Sequence, residues 1–300
     1  MNKIDLIGVP SDFGANTKGS RLGPDCLRVA SVFEKIKELV TDVKDKGNID
    51  VPTANSIVDQ SPEKNRLFEI QKVNEQLKQE VLTSLNNNRL PICLGGDHSL
   101  SIGSLAAVSE HHKGKSMGLI WIDTHSDINT PESSPSKNIH GMPISVLLGQ
   151  GYESLVNLFP KDSPFQPKNI VMLGLRDIDA REKENLKESG VTYYTMRDVD
   201  EIGIQKLMNT IKSDVIDHVD GIHVSFDLDV MDPLLVPGVS TPIAGGLTAR
   251  EAHLCLEMLH ETDKIVSADF VELNPYLDNK GTSARIAVEL ICSLVGKTII

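Results

Sequence analysis

The chain has 300 residues, 40% apolar and 24% charged, so it can bury a large core in one domain or two and is not disordered throughout. Its net charge of −12 argues against nucleic acid as a partner, which needs a basic surface, and suits the drawing of cations into an acidic cleft. No stretch has the length of a membrane span. The four cysteines, Cys26, Cys93, Cys255 and Cys292, lie far apart without a C-x-x-C pair, as reduced thiols of a cytoplasmic protein would.

In chain order, Ile4–Val9 reads as the first strand; the residues before and within it lack the apolar centre of a signal peptide and carry Asp5. Gly23-Pro24-Asp25 opens a helix, with Pro early and Asp in the first turn. A weak strand is expected near Ile49–Val58. From Arg66 to Leu85, Leu67, Ile70, Val73, Leu77, Val81 and Leu85 recur on one helical stripe. Strands follow at Leu90–Leu94, Leu119–Ile122, Ile170–Leu173, Val191–Tyr194, Ile222–Phe226 and Ile265–Phe270, and further helices over Glu251–Leu259 and Ala284–Leu294. The Ser/Pro-rich stretch from Thr130 to Asn138 is a loop, expected to act as a lid or to set specificity. With no domain boundary or internal repeat in view, residues 1–300 are read as one domain.

Strands alternating with helices imply a parallel sheet covered on both faces, with sites at the carboxyl ends of its strands. Most of the strands here run into polar or glycine-containing phrases: Gly95-Gly-Asp-His98, Asp123-Thr-His125-Ser-Asp127, Gly174-Leu-Arg-Asp177-Ile-Asp179, Asp227-Leu-Asp229 and Asp269-Phe-Val-Glu272. Residues two apart on a strand point to the same side, so Asp123, His125 and Asp127 are expected to share one side, and so are Asp227 and Asp229. Packed together without a counter-charge, such side chains would repel and bury poorly. With His98 they make six candidate ligands, an oxygen-rich set without thiolate that favours Mn²⁺, with Co²⁺, Ni²⁺ or Zn²⁺ as substitutes. That number suits two metals about 3.5–4 Å apart better than one. Isolated His140 has no such partner set, His223 is expected to be a buried hydrogen-bonding support, and His111 and His112 are expected to be solvated.

Gly95-Gly-Asp-His-Ser99, Trp121-Ile-Asp-Thr-His-Ser-Asp127, Ser225-Phe-Asp-Leu-Asp-Val-Met-Asp-Pro233 and Asp269-Phe-Val-Glu-Leu-Asn-Pro275 resemble the ureohydrolase family, and within it the arginases. The resemblance runs nearly end to end. It implies a three-layer α/β/α fold with a mainly parallel eight-stranded sheet and two Mn²⁺ per subunit. It further implies that His98 and Asp127 bind one ion, His125 and Asp229 the other, and that Asp123 and Asp227 bridge them. A bridging hydroxide would then attack the guanidinium carbon of L-arginine, giving L-ornithine and urea. By the same resemblance Asp127 passes a proton to the leaving amine, His140 is an acid/base or proton-shuttling group, and Glu272 clamps the guanidinium. Asn129, Ser134, Ser136 and Asn138 would hold the α-carboxylate, and Asp177, Asp179 and Glu182 the α-amino group, with Thr241 in the same substrate-contact set. Asp200, Arg250 and Glu251 match inter-subunit salt-bridge positions, implying a trimer or hexamer. The readings that compete are an agmatinase or other guanidino-compound ureohydrolase, a one-metal deacetylase of the same fold, and a metal-binding protein with a dead site.

Overall fold

The computed structural model describes residues 3–51 and 62–298. Among them are eight strands: β1 (Lys3–Gly8), β2 (Asp42–Asn48), β3 (Leu90–Leu94), β4 (Met117–Ile122), β5 (Phe165–Leu175), β6 (Thr192–Thr195), β7 (Gly221–Asp227) and β8 (Ile265–Val271). The α-helices are α1 (Gly23–Val29), α2 (Val32–Leu39), α3 (Pro62–Asn86), α4 (Ser101–His111), α5 (Pro143–Leu147), α6 (Glu153–Val156), α7 (Ala180–Glu188), α8 (Met196–Ile202), α9 (Ile204–Asp214), α10 (Ala249–His260) and α11 (Thr282–Leu294). The strands form one sheet in the order β2-β1-β3-β8-β7-β4-β5-β6, and every pairing is parallel.

The fully apolar runs become the central strands because both sheet faces are covered. Alternation sorts their side chains into two cores. Ile120 and Ile122 of β4 join Val224 and Phe226 of β7, Phe270 of β8 and residues of α2, α9, α10 and α11. Leu119 and Trp121 face the other way, onto residues of α3, α4 and α5. Three of the helices start on capping boxes written in the sequence: Asp179 with Glu182, Thr195 with Asp198, and Thr248 with Glu251.

Two expectations shift. The strand expected near Ile49–Val58 lies earlier, at Asp42–Asn48, and residues 52–58 are outside the described ones. β2 escaped a hydrophobicity reading because it is an edge strand of Asp-Val-Lys-Asp-Lys-Gly-Asn with no buried position. His112, expected to be solvated, is half-buried, and both its ring nitrogens are covered without a hydrogen-bond partner.

Strand order decides the site. β7 and β8 fill the space between β3 and β4, so four carboxyl ends that are distant in sequence stand side by side. Cys93, Asp269, Ser225 and Trp121 are register partners across β3, β8, β7 and β4, forming one transverse row below those ends.

Candidate metal centre

After β3 the chain turns through Gly95 and Gly96. Gly96 has φ +98°, and a Cβ there would come within 2.5 Å of the Val9 carbonyl, so only glycine lets the loop pass. Asp97 accepts the Gly14 amide at 2.9 Å and the Ser99 amide at 3.0 Å. This fixes His98, whose Nδ1 lies 3.0 Å from Asp123 Oδ2, 3.0 Å from Asp227 Oδ2 and 3.3 Å from Asp127 Oδ2. None of these is a hydrogen bond, and Nδ1 is buried without a partner. On the far side His98 Nε2 stands 2.8 Å from Ser225 Oγ, and Trp121 stacks on the ring at 3.9 Å with 4° between planes. The imidazole is thus clamped with Nδ1 aimed into the carboxylates.

Two groups of ligand-type atoms converge. One is His98, Asp123 and Asp227; the other is Asp123, His125 and Asp229. Asp123 belongs to both, with Oδ2 taking the Trp121 indole N–H at 3.0 Å and Oδ1 the His125 amide at 2.8 Å. His125 Nδ1 is 3.2 Å from Asp229 Oδ2. Asp229 is held by Thr241 Oγ1, which donates to Oδ2 at 2.8 Å, by Thr124 Oγ1, which donates to its carbonyl at 2.7 Å, and by its own amide, which donates to Asp227 Oδ1 at 2.8 Å. The turn departs from strand geometry at Asp127, whose φ of +49° swings its carboxylate back toward His98.

The charges do not balance without a cation. Burial, and then the neighbouring carboxylates, push Asp127 and Asp227 well above the usual carboxylate range. Burial works against charge on His98, yet Asp123 and Asp227 hold it well above the ordinary imidazole value; burial likewise opposes charge on His125, which Asp229 and Asp123 hold up. Asp123 is kept well below its ordinary value by His125 and His98 despite its burial. The all-oxygen-and-imidazole donor set, the shared carboxylate and the unpartnered Nδ1 fit hard divalent ions.

The centre opens onto a cavity of about 360 Å³. Its walls include the candidate ligands His125, Asp127, Asp227 and Asp229 together with Thr241, Asn129, Pro135, Ser136, Asn138, His140, Gly141, Asp177, Asp179 and Glu182. His98 and Asp123 lie behind this wall. Ser134 does not reach it: it is 4% exposed and its Oγ accepts the Lys137 amide at 3.0 Å, shaping the loop instead. Glu272 also stands back, with φ +65° and 1% exposure. Its Oε1 takes the His98 amide at 2.9 Å and faces His140 Nδ1 at 2.9 Å, while Oε2 is buried and unpartnered. Burial resists charge on His140, but Glu272, then Asp127 and Asp97, raise it to about 9. At neutral pH the pair is an imidazolium and a carboxylate.

His223 is a buried support as expected, with Nδ1 2.5 Å from Ser267 Oγ and Nε2 3.1 Å from Asp269 Oδ2. Asp269 Oδ2 also accepts the Ser104 hydroxyl at 2.6 Å, and Ser101 Oγ stands 3.3 Å from Ser225 Oγ, which in turn meets His98. Three contributors carried a sequence signal that was left without a role. Trp121 precedes Asp123 by two, the same-side spacing on a strand. Ser225 has the same relation to Asp227. Arg176 sits inside the phrase after β5, and its guanidinium donates only to carbonyls, including those of Asp229 at 2.9 Å and Ile243 at 2.7 Å, so it ties the Asp229 turn to the segment after Thr241.

A family model described as the arginase family matches residues 2–296. A protein of Staphylococcus aureus (strain COL) named arginase is 43% identical over 300 residues, covering 99% of this chain and 98% of that one. One of Bacillus subtilis (strain 168), also named arginase, is 42% identical over 297 residues and 99% of both. The native structure of arginase from Bacillus caldovelox at pH 5.6 superposes with a TM-score of 0.95 at 40% identity, over 100% of each chain.

Proposed function

The chain belongs to the arginase family, and from that premise we propose that it is, over residues 1–300, a single-domain enzyme hydrolysing L-arginine to L-ornithine and urea with two Mn²⁺ ions. The observation that carries the proposal is the pair of ligand groups sharing Asp123 beside a cavity lined both by carboxylates, Asp177, Asp179 and Glu182, and by neutral donors, Asn129, Ser136 and Asn138. His98 with Asp127 and Asp227 would hold one ion, His125 with Asp229 the other, and Asp123 would span both. Asp227, expected to bridge as well, turns Oδ2 toward His98 and takes the Asp229 amide on Oδ1, much as both oxygens of Asp123 take N–H donors. A bound pair supplies Lewis-acid charge and makes water acidic enough to be a nucleophile near neutral pH.

The chain's own groups do the rest. Asp177, Asp179 and Glu182 offer acceptors to an α-ammonium, and Asn129, Ser136 and Asn138 offer neutral donors to an α-carboxylate. Glu272 Oε2, buried and unpartnered, is an acceptor for a guanidinium N–H that reaches past His140. Protonated His140 on the cavity wall can give its proton to the departing amine, and Asp127 can relay one from the attacking water. Removal of the α-carboxylate would leave the buried Asn129 amide short of a partner, at about 1–3 kcal/mol, and would leave half-buried Asn138 and exposed Ser136 to water at smaller cost. Arginine is therefore strongly preferred over agmatine in kcat/KM. Urea release from both substrates, with metal analysis of the same sample, tests this; equal or faster hydrolysis of agmatine assigns the chain to the sister activity.

Its free cysteines fit a cytoplasmic location. A homo-oligomer, trimer or hexamer, is in keeping with exposed Leu234 (93%) and Tyr276 (76%) and with exposed Arg250, and sedimentation analysis decides it. No helix among the described residues is long and apolar enough to cross a membrane.

A further inference from the structure

Asn129 lies on the cavity wall, and the direction of its amide decides whether it offers hydrogens or an oxygen to a bound molecule. That direction is set from outside the cavity as well as from within it. Asn185 on α7 is half-buried, and its Nδ2 donates to the Ile128 carbonyl at 3.1 Å and to Ser133 Oγ at 3.1 Å. A backbone carbonyl only accepts, so Asn185 must present its NH₂ there. Ser133 Oγ also receives the Thr130 amide at 2.8 Å, and an amide N–H only donates. Both lone pairs of the Ser133 hydroxyl are thereby taken, and its single hydrogen has to be donated. The nearest acceptor is Asn129 Oδ1 at 2.8 Å; the Thr130 hydroxyl and carbonyl oxygens are 3.4 and 3.5 Å away. Asn129 Oδ1 is then committed to Ser133, and its Nδ2 faces the opposite way. Asp179 Oδ2 takes one of the two hydrogens at 2.9 Å, which leaves the other for the cavity.

We propose that Ser133 and Asn185, neither of which lines the cavity, are positioning residues that hold the Asn129 amide with its hydrogens toward the substrate's α-carboxylate. The proposal rests on the arginine-hydrolysing reading given above. Asp179 orients the same amide from the other end, but Asp179 is also an acceptor for the substrate's α-ammonium. With the ammonium sharing Asp179, the Ser133 hydroxyl is the second restraint that keeps the amide from turning. A flipped amide would set its oxygen against the substrate carboxylate and Asp179, three acceptors with no hydrogen between them. The relay thus favours ligands with an α-carboxylate and is indifferent to those without one.

The test uses the full-length, Mn²⁺-loaded protein with Ser133→Ala, Ser133→Thr and Asn185→Leu. The measurements are kcat and KM for L-arginine, the inhibition constant of agmatine against arginine, the dissociation constant of L-ornithine by calorimetry, the bound metal and the melting temperature. Ser133→Ala and Asn185→Leu should raise both the arginine KM and the ornithine dissociation constant about five- to tenfold, the worth of one lost hydrogen bond. The kcat, the agmatine constant and the two bound ions should stay within about twofold of the parent, since no chemistry or metal ligand is touched. Ser133→Thr, which keeps the hydroxyl, should restore arginine binding. Should Asn185→Leu fail to fold, Ser133→Ala and Ser133→Thr decide alone. Arginine, ornithine and agmatine weakening together, or none of them changing in Ser133→Ala, overturns the relay. Failure of the underlying reading looks different: the unmodified protein would then release no urea from arginine, whatever the variants bind.

Discussion

The buried pair of His140 and Glu272 makes a measurable demand on stability. A rise of the imidazole from 6.5 to about 9, at about 1.36 kcal/mol per unit, corresponds to roughly 3 kcal/mol of preference for the protonated form in the folded state. Glu272 is 1% exposed and His140 18%, so solvent screens the pair little. Asp127 and Asp97 share in the shift, which leaves about 2 kcal/mol for the pair itself. A double-mutant cycle of His140→Asn, Glu272→Gln and both together, by urea denaturation of chelator-stripped protein, isolates this energy. The folded-state value lies above the unfolded one, so the contribution is complete below about pH 6.5 and disappears as pH rises through about 9. The coupling should therefore fall from about 2 kcal/mol at pH 6.5 to under about 0.5 at pH 10.5. A coupling that stays flat across that range, or is already below about 0.5 kcal/mol at pH 6.5, refutes the assignment of a charged pair.

In metal-loaded protein His140→Asn should lower kcat about a hundredfold while both ions stay bound; loss of an ion would move His140 among the ligands. Asp229→Ala should retain one of the two ions after gel filtration and lose most of the activity, and elemental analysis finding two ions in that variant contradicts the paired site. His223→Asn should cost roughly 2–4 kcal/mol, because Asp269 stays fully buried and is left with the Ser104 hydroxyl but without the imidazole. Its rate at saturating Mn²⁺ should stay within a few-fold, and the opposite ranking of stability and rate would place His223 in the chemistry. Turnover should climb from neutral to alkaline pH, since four carboxylates offset much of the ions' charge and leave the attacking water less acidified than neutral ligands would. A rate maximum below neutrality at saturating Mn²⁺ counts against that.

The central sheet was legible because buried strands must be apolar: Leu90–Leu94 and Met117–Ile122 have no exposed residue, so burial on both faces is written in every position. The same reasoning misses α4, Ser101–His111, which is buried through its first nine residues and so shows no one-sided stripe. It also misses β2, which has no fully buried position and packs only Val43 against the core. The candidate ligand cluster was legible because period-2 spacing and strand-end placement survive in local sequence. Glu272's place behind His140, and the relay from Asn185 to Asn129, were not. They depend on contacts 132 and 52 residues apart, between His140 and Glu272 and between Asn185 and Ser133, that only the strand order and the seat of α7 create.

Trp121 is the chain's single tryptophan, its ring lies flat on His98, and its indole N–H is bonded to the carboxylate both ligand groups share. All of the protein's indole emission therefore originates at the metal centre, within van der Waals reach of one ligand and hydrogen-bonded to another. Filling the centre changes the charge on both neighbours, and a paramagnetic ion beside the ring provides a direct quenching route. Intrinsic fluorescence becomes a label-free optical titration of ion occupancy, free of background from any other tryptophan. The same emission reports each loading step in real time, before any substrate is added.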